Sequence, residues 1–201
     1  MMKIAIIADT HGIFKELFDK YQNELAQVNI VFLLGDYYKS EIQIMNNFFK
    51  VPMIGIHGNH DNMDVFDDSN VIDMHLQLAE LNNGITITGF QGSSKYKQTQ
   101  YYGYTQEEAQ SVIKELPKAD ILISHDGPMG YCGNIDDMTH CGLQAITDYI
   151  VKYQPKLVFF GHHHKNKQFI INQTTCFNIY EIGIFEIDNN INVINYYNYN
   201  L

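Results

Sequence analysis

The chain contains no arginine and no tryptophan, and all thirteen of its basic residues are lysine. The planar guanidinium fork that usually grips a phosphate in two places is therefore missing. Any phosphate bound here must be held by lysine, histidine, backbone N–H groups or cations. Cysteine is scarce: Cys132, Cys141 and Cys176 are an odd number with no framework spacing. That excludes a disulfide-stapled scaffold and reads as free thiols in a reducing, cytoplasmic setting. The separation of Cys132 and Cys141 gives no zinc knuckle. No apolar run reaches the ~18 residues of a membrane span. Met1–Ala8 turns polar too soon for a signal peptide and reads as a first strand. Positive charge is also short, leaving a net charge of −10 and a pI near 5.2. This balance disfavours membrane surfaces and long nucleic acid as partners. No repeat or linker divides the 201 residues, so one domain over 1–201 is expected.

Short apolar runs with a common ending fill the space these absences leave. Lys3–Ala8 runs into Asp9-Thr10-His11-Gly12, and Ile30–Leu34 into Gly35-Asp36. Met53–Ile56 leads through His57 into Gly58-Asn59-His60-Asp61. Ile121–Ser124 runs into His125-Asp126-Gly127, and Leu157–Phe160 into Gly161-His162-His163-His164. Such runs between turn signals read as buried parallel strands. In open α/β sheets, ligands bind beyond the carboxyl ends of the strands. The five clusters are therefore expected to converge on one site.

The first half alternates strand and helix. Phe14, Leu17, Phe18, Tyr21 and Leu25 fall on one face of a helix over about 13–26, and a second helix lies near 40–49, closed by Pro52. This order implies a parallel sheet with right-handed crossovers. Val71–Leu81 and Ile85–Gly89, separated by Asn82-Asn83-Gly84, read as a hairpin. Gly92–Tyr104 reads as a polar, aromatic loop over the site. Thr105 and Glu108 form a capping box at the start of a helix reaching Leu116. A strand over 120–124, a loop over 126–140 and a helix over about 141–153 follow. The tail 168–199 is short alternating β, and Tyr196–Asn200 reads as an edge strand. The expected fold is α/β, a mixed two-layer β-sandwich flanked by helices, with the active site at the C-terminal strand ends.

In extended backbone, residues i and i+2 point the same way, so Asp9-x-His11 and His162-x-His164 each present two ligands. Gly35, Gly58 and Gly161 permit close backbone approach at the strand ends. Asp36 stands alone after its strand, where it can bridge two metals. Mixed oxygen and nitrogen ligands suit manganese, iron, zinc or cobalt. Two such ions about 3.5–4 Å apart supply a hydroxide and clamp an in-line phosphoryl displacement.

The ordered series Asp-x-His, Gly-Asp, Gly-Asn-His-Asp, His, Gly-His-x-His resembles the calcineurin-like metallophosphoesterase superfamily from residue 9 to residue 164. The resemblance implies an αββα fold and a dinuclear, metal-dependent phosphoesterase, with Mn2+ the first choice of metal. It implies Asp9, His11, Asp36 and His164 as ligands of one ion. Asp36, Asn59, His125 and His162 become ligands of the other, with Asp36 shared. By the same resemblance, His60 protonates the leaving oxygen and Asp61 orients it by hydrogen bonding. The segments Gly89–Thr105 and Asp137-x-x-His140-x-Gly142 resemble small bacterial members, with Lys95 and Cys141 standing where those carry arginine. A small phosphodiester of nucleotide type is the expected substrate, because nothing clamps a dianionic monoester. A phosphomonoesterase and a non-catalytic interaction protein on the same fold are the alternatives. Outside the ligand set, His57 reads as a support behind the ligands or as structural, His163 as turned to solvent or substrate, and His75 as a solvated strand residue. His140 divides between substrate contact and helix packing, and Lys95, Lys97, Tyr101 and Tyr102 between substrate rim and solvated loop.

Overall fold

A computed structural model describes residues 1–81 and 84–201. The first half winds as expected through β1 (Met2–Ala8), α1 (Phe14–Leu25), β2 (Ile30–Leu33), α2 (Lys39–Phe48) and β3 (Met53–Gly55). Then come β4 (Val71–Asp73), β5 (Leu78–Glu80), β6 (Thr86–Phe90) and two short strands, β7 (Ser93–Ser94) and β8 (Gly103–Tyr104). The second half contains α3 (Gln106–Val112), a 3-10 turn at Ile113–Glu115, β9 (Ile121–Ser124), α4 (Gln144–Tyr153) and β10 (Leu157–Phe160). It ends in β11 (Lys167–Ile171), β12 (Thr174–Asn178), β13 (Glu181–Ile187) and β14 (Val193–Tyr199).

Two six-stranded mixed sheets face one another, in the orders β14-β13-β1-β2-β3-β4 and β11-β12-β10-β9-β6-β5. Strands β1 to β4 are mutually parallel, as are β6, β9, β10 and β12, while the pairs β1–β13, β13–β14, β11–β12 and β5–β6 are antiparallel. Side-chain alternation explains the layering. Ile4, Ile6 and Ala8 point inward with Phe32, Ile123, Phe159, Phe177 and Phe185 to fill the space between the sheets. Ala5 and Ile7 point outward, under Phe14, Leu17, Ile42 and Met45 of α1 and α2. Leu122, Val158 and Phe160 carry α4 through Ile146, Tyr149 and Ile150. Both central strand sets are thus buried on two faces, which is why they read as unbroken apolar runs.

Two expectations change. The run Val71–Leu81 is not one hairpin strand: β4 closes the first sheet beside β3, and β5 pairs with β6 in the second. Between them the chain turns at Leu76, whose φ is +58°. A period-two pattern does not distinguish one long strand from two short ones in different sheets. The expected turn at Asn82-Asn83 lies outside the described residues. Helix α4 begins at Gln144 rather than 141, because Gly142 takes a φ of +81° and Leu143 bridges to Pro128. The Thr105 capping box forms, with Glu108 N–H donating to Thr105 Oγ1 at 3.1 Å and Thr105 N–H to Glu108 Oε2 at 2.8 Å. Strand β14 is the edge of its sheet. No helix among the described residues is long and apolar enough to cross a membrane.

Candidate metal centre

The loops after β1, β2, β3, β9 and β10 meet at one end of the sandwich. Asp9, His11 and His164 bring one ligand atom each within 4.8 Å of the others, and so do Asp36, His125 and His162. Asp36 stands between the groups, with Oδ2 3.7 Å from His11 Nε2 and Oδ1 3.5 Å from His125 Nε2. The imidazoles of His11 and His164 bring their Nε2 atoms to 3.2 Å, and His164 Nε2 lies 3.8 Å from Asp9 Oδ1. Asn59 Oδ1 is 2.8 Å from His125 Nε2.

The backbone achieves this differently from the extended geometry expected of the two i, i+2 pairs. Asp9, His11, Asp36, His162 and His164 all take φ between +45° and +66°. Left-handed φ is uncommon for residues with a Cβ and is retained where surrounding structure enforces it. His162 and His164 face different groups. The glycines allow the crowding: a Cβ on Gly58 would stand 2.1 Å from Asp36 Oδ1, and one on Gly161 2.6 Å from Asp9 Oδ2.

The electrostatics fit a cation. Asp9 is buried, its Oδ1 has no hydrogen-bond partner, and burial together with the Asp36 charge raises its pKa well above the carboxylate range. Burial also opposes ionisation of Asp36, but His125, the His60 amide and nearby imidazoles hold its pKa below the usual value. Burial lowers His11, and lowers His162 and His164 to about 4, so these rings present lone pairs at neutral pH. His125 Nδ1 donates to the Leu34 carbonyl at 2.7 Å, which in the neutral ring puts the lone pair on Nε2, facing Asn59 Oδ1. Two lone pairs then meet, and a cation against both removes the repulsion. His162 Nε2 likewise donates to the Thr139 carbonyl at 2.7 Å, which fixes that ring.

His60 is exposed at the margin, its ring centroid 5.5 Å from that of His11. Its backbone N–H donates to Asp36 Oδ1 at 2.8 Å. The expected hydrogen bond between the His60 ring and the Asp61 carboxylate is not formed. Both Asp61 oxygens are taken by backbone N–H groups, of Gly58 at 2.6 Å, Tyr37 at 2.6 Å and Asp36 at 3.2 Å. Asp61 thereby ties the β2 loop to the β3 loop. Burial and the Asp36 charge raise its pKa to about 7.

His163 is buried, contrary to its expected outward orientation, and its Nε2 lies 3.0 Å from Asp126 Oδ1. Asp126, Cys132 and His163 form a third compact group. The Asp126 carboxylate is already engaged there by Gly127 N–H, Ser94 N–H and His163, so the group pins loops together. His57 stacks on Tyr102 at 4.6 Å, which removes Tyr102 from the rim. His75 is half-buried and takes the Gln91 N–H on Nδ1 at 3.3 Å. His140 pairs with Asp137 at 3.0 Å and packs against His162.

Two residues escaped the reading of the sequence. Tyr96 reaches over the centre from the loop before β8, and its hydroxyl lies 3.1 Å from Asn59 Nδ2 and 3.3 Å from His60 Nε2. Glu41 is buried on α2 and accepts N–H bonds from Gly12, Phe14 and Tyr38 at 2.8–2.9 Å, which fixes the turn carrying His11. Tyr38 is not an N-capping residue type, so no capping-box pattern in the sequence marked Glu41. Glu41→Ala strips three backbone donors of their partner and should destabilise the fold by about 2–4 kcal/mol. Urea unfolding measures this, and a loss under about 0.5 kcal/mol would place the turn under other control.

A family model described as a calcineurin-like phosphoesterase superfamily domain matches residues 2–190. An uncharacterized protein of Haemophilus influenzae is 25% identical, the match covering 81% of this chain and 84% of that one. A crystal structure of a Thermus thermophilus protein superposes with a TM-score of 0.68 at 13% identity, covering 98% of both chains. An archaeal protein described as a novel phosphodiesterase superposes with a TM-score of 0.55 at 16% identity, over 96% of this chain and 97% of that one.

Proposed function

Because the chain belongs to the calcineurin-like phosphoesterase superfamily, we propose that it is a dinuclear metal-dependent hydrolase of a small phosphodiester, of nucleotide type. The observation that carries this reading is Asp36, a buried carboxylate within 4 Å of a histidine of each ligand group. Asp9, His11, Asp36 and His164 would hold one divalent cation, and Asp36, Asn59, His125 and His162 the other. Such ions would activate a water as nucleophile and offset the phosphoryl charge that the absent arginine would otherwise meet. Manganese is our first choice, with iron, zinc or cobalt also suited to these donors.

The chain's own groups do the rest. Asp61, through its three backbone N–H partners, holds the loop that aims Asp36. His60 supplies a proton to the leaving oxygen as the P–O bond breaks. A diester is favoured over a monoester because the centre has room on both sides. A cleft of about 250 Å3 opens beside His60, lined by Asn62, Tyr96, Lys97 and Tyr101 among others. A second, of about 350 Å3, opens beside His164 and is lined by Asn134, Asp137, His140 and Lys165. His11 stands between, its ring centroid 5.5 Å from that of His60 and 5.2 Å from that of His164. Each cleft can take one ester arm. The free thiols suit the cytoplasm, and the net charge of −10 suits a small substrate better than a polyanion.

The test is turnover of bis(4-nitrophenyl) phosphate and 4-nitrophenyl phosphate by the purified protein, with and without added Mn2+. We expect metal-dependent hydrolysis with the diester faster. Preference for the monoester would turn the reading to a phosphomonoesterase, and hydrolysis of neither to an interaction protein on this fold.

A further inference from the structure

The cleft beside His60 contains a contact that the metal ligands do not explain. The Tyr96 hydroxyl is within hydrogen-bond distance of both Asn59 Nδ2 and His60 Nε2. Its loop is anchored to the core. Ser93 N–H bonds to Tyr102 O at 3.0 Å and Lys95 N–H to Tyr104 O at 2.8 Å, which pairs the loop's two ends. Ser94 N–H donates to the buried Asp126 at 2.9 Å, one residue beyond His125. Gln100 closes the loop internally, its Oε1 accepting Tyr96 N–H at 3.2 Å and its Nε2 donating to Ser93 Oγ at 3.0 Å. Tyr96 is therefore held at a fixed height over the site, whereas its neighbours Lys95 and Lys97 are exposed. Among the described residues, the Tyr96 hydroxyl is the hydrogen-bond partner of the His60 ring, the place Asp61 does not fill.

We propose that Tyr96 is the positioning residue for His60, and that the cleft the two share receives the leaving arm of the substrate. This rests on the phosphodiesterase reading above. Asn59 donates into the phenol oxygen, so one link runs from a metal-ligating residue through Tyr96 to the proton donor. The hydroxyl sets the rotamer of an otherwise exposed imidazole. Tyr101 and Lys97 form the outer wall of the same cleft, an aromatic and a cationic surface suited to a leaving arm with a ring and polar substituents.

The experiment compares wild type, Tyr96→Phe, His60→Ala and the double variant on diesters of graded leaving group, from 4-nitrophenol to a simple alkanol. Tyr96→Phe should retain full metal content and lose about tenfold or more in kcat for the alkanol ester. It should lose little for the nitrophenyl ester, which departs without a proton. In the His60→Ala background the same change should cost nothing further, because its effect runs through that ring. The His60 ring 15N signals of the metal-free protein, assigned by their loss in His60→Ala, should shift in Tyr96→Phe. Equal losses for all leaving groups, an additive double variant, or unchanged ring signals would each overturn the role. Absence of wild-type hydrolysis would instead overturn the phosphodiesterase reading, and the ring signals would still report on the contact.

Discussion

Asp36→Asn should reduce turnover by roughly a hundred- to a thousandfold or more and leave the protein short of metal while still folded. The substitution is nearly isosteric, so the close fit of Asp36 against the glycine loop survives, including the approach that leaves no room for a Cβ on Gly58. What changes is charge. Asp36 is the carboxylate that both ligand groups contact, with Oδ2 toward His11 and Oδ1 toward His125. Burial works against its ionisation, and the imidazoles and the His60 amide hold it ionised all the same. An amide cannot serve two cations, and it removes the negative charge that makes their close approach tolerable. Metal analysis of the purified variant should show one or both ions lost. Asp9 should become easier to ionise in the metal-free variant, because the Asp36 charge is among the causes that raise its pKa. Full metal content with full turnover would remove Asp36 from the centre and with it the dinuclear reading.

The convergence of the five polar clusters was legible because short strands buried on both faces have an unmistakable composition, and because each ends where the apolar run stops. The same logic placed the helix faces Phe14, Leu17 and Leu25, and the Thr105 cap. It failed where information is not local. Val71–Leu81 looks uniform, yet the chain crosses from one sheet to the other inside it, since residue alternation does not record which sheet a strand joins. The two i, i+2 pairs were expected to converge through extended backbone. Instead Asp9, His11, His162 and His164 reach the site through left-handed φ. Sequence spacing reports that two residues are near, but not the dihedral route by which they approach. Glu41 and Tyr96 were missed because their partners are backbone amides or side chains tens of residues away. Cys132 and Cys141, conspicuous by rarity, are packed thiols; burial pushes both upward in pKa, away from thiolate chemistry.

His60→Ala should retain both ions and lose about 10²–10⁴-fold in turnover. The two variants therefore separate binding from chemistry. His60 is exposed and lies outside both ligand groups, so its ring can be deleted without opening the core, and thermal stability should scarcely move. Its backbone N–H, which donates to Asp36 Oδ1, is unchanged by the substitution. The lost rate should depend on the ester: a nitrophenolate needs no proton to depart, whereas an alkoxide does. The deficit should therefore grow as the leaving group worsens, and KM should change much less than kcat, because the proton is given as the bond breaks and not when the substrate binds. A deficit equal across leaving groups, carried in KM, would make His60 a phosphate-binding group instead. Loss of metal in His60→Ala would make it a ligand, and the row of three imidazoles from His60 through His11 to His164 would then be continuous coordination rather than a proton donor standing beside it.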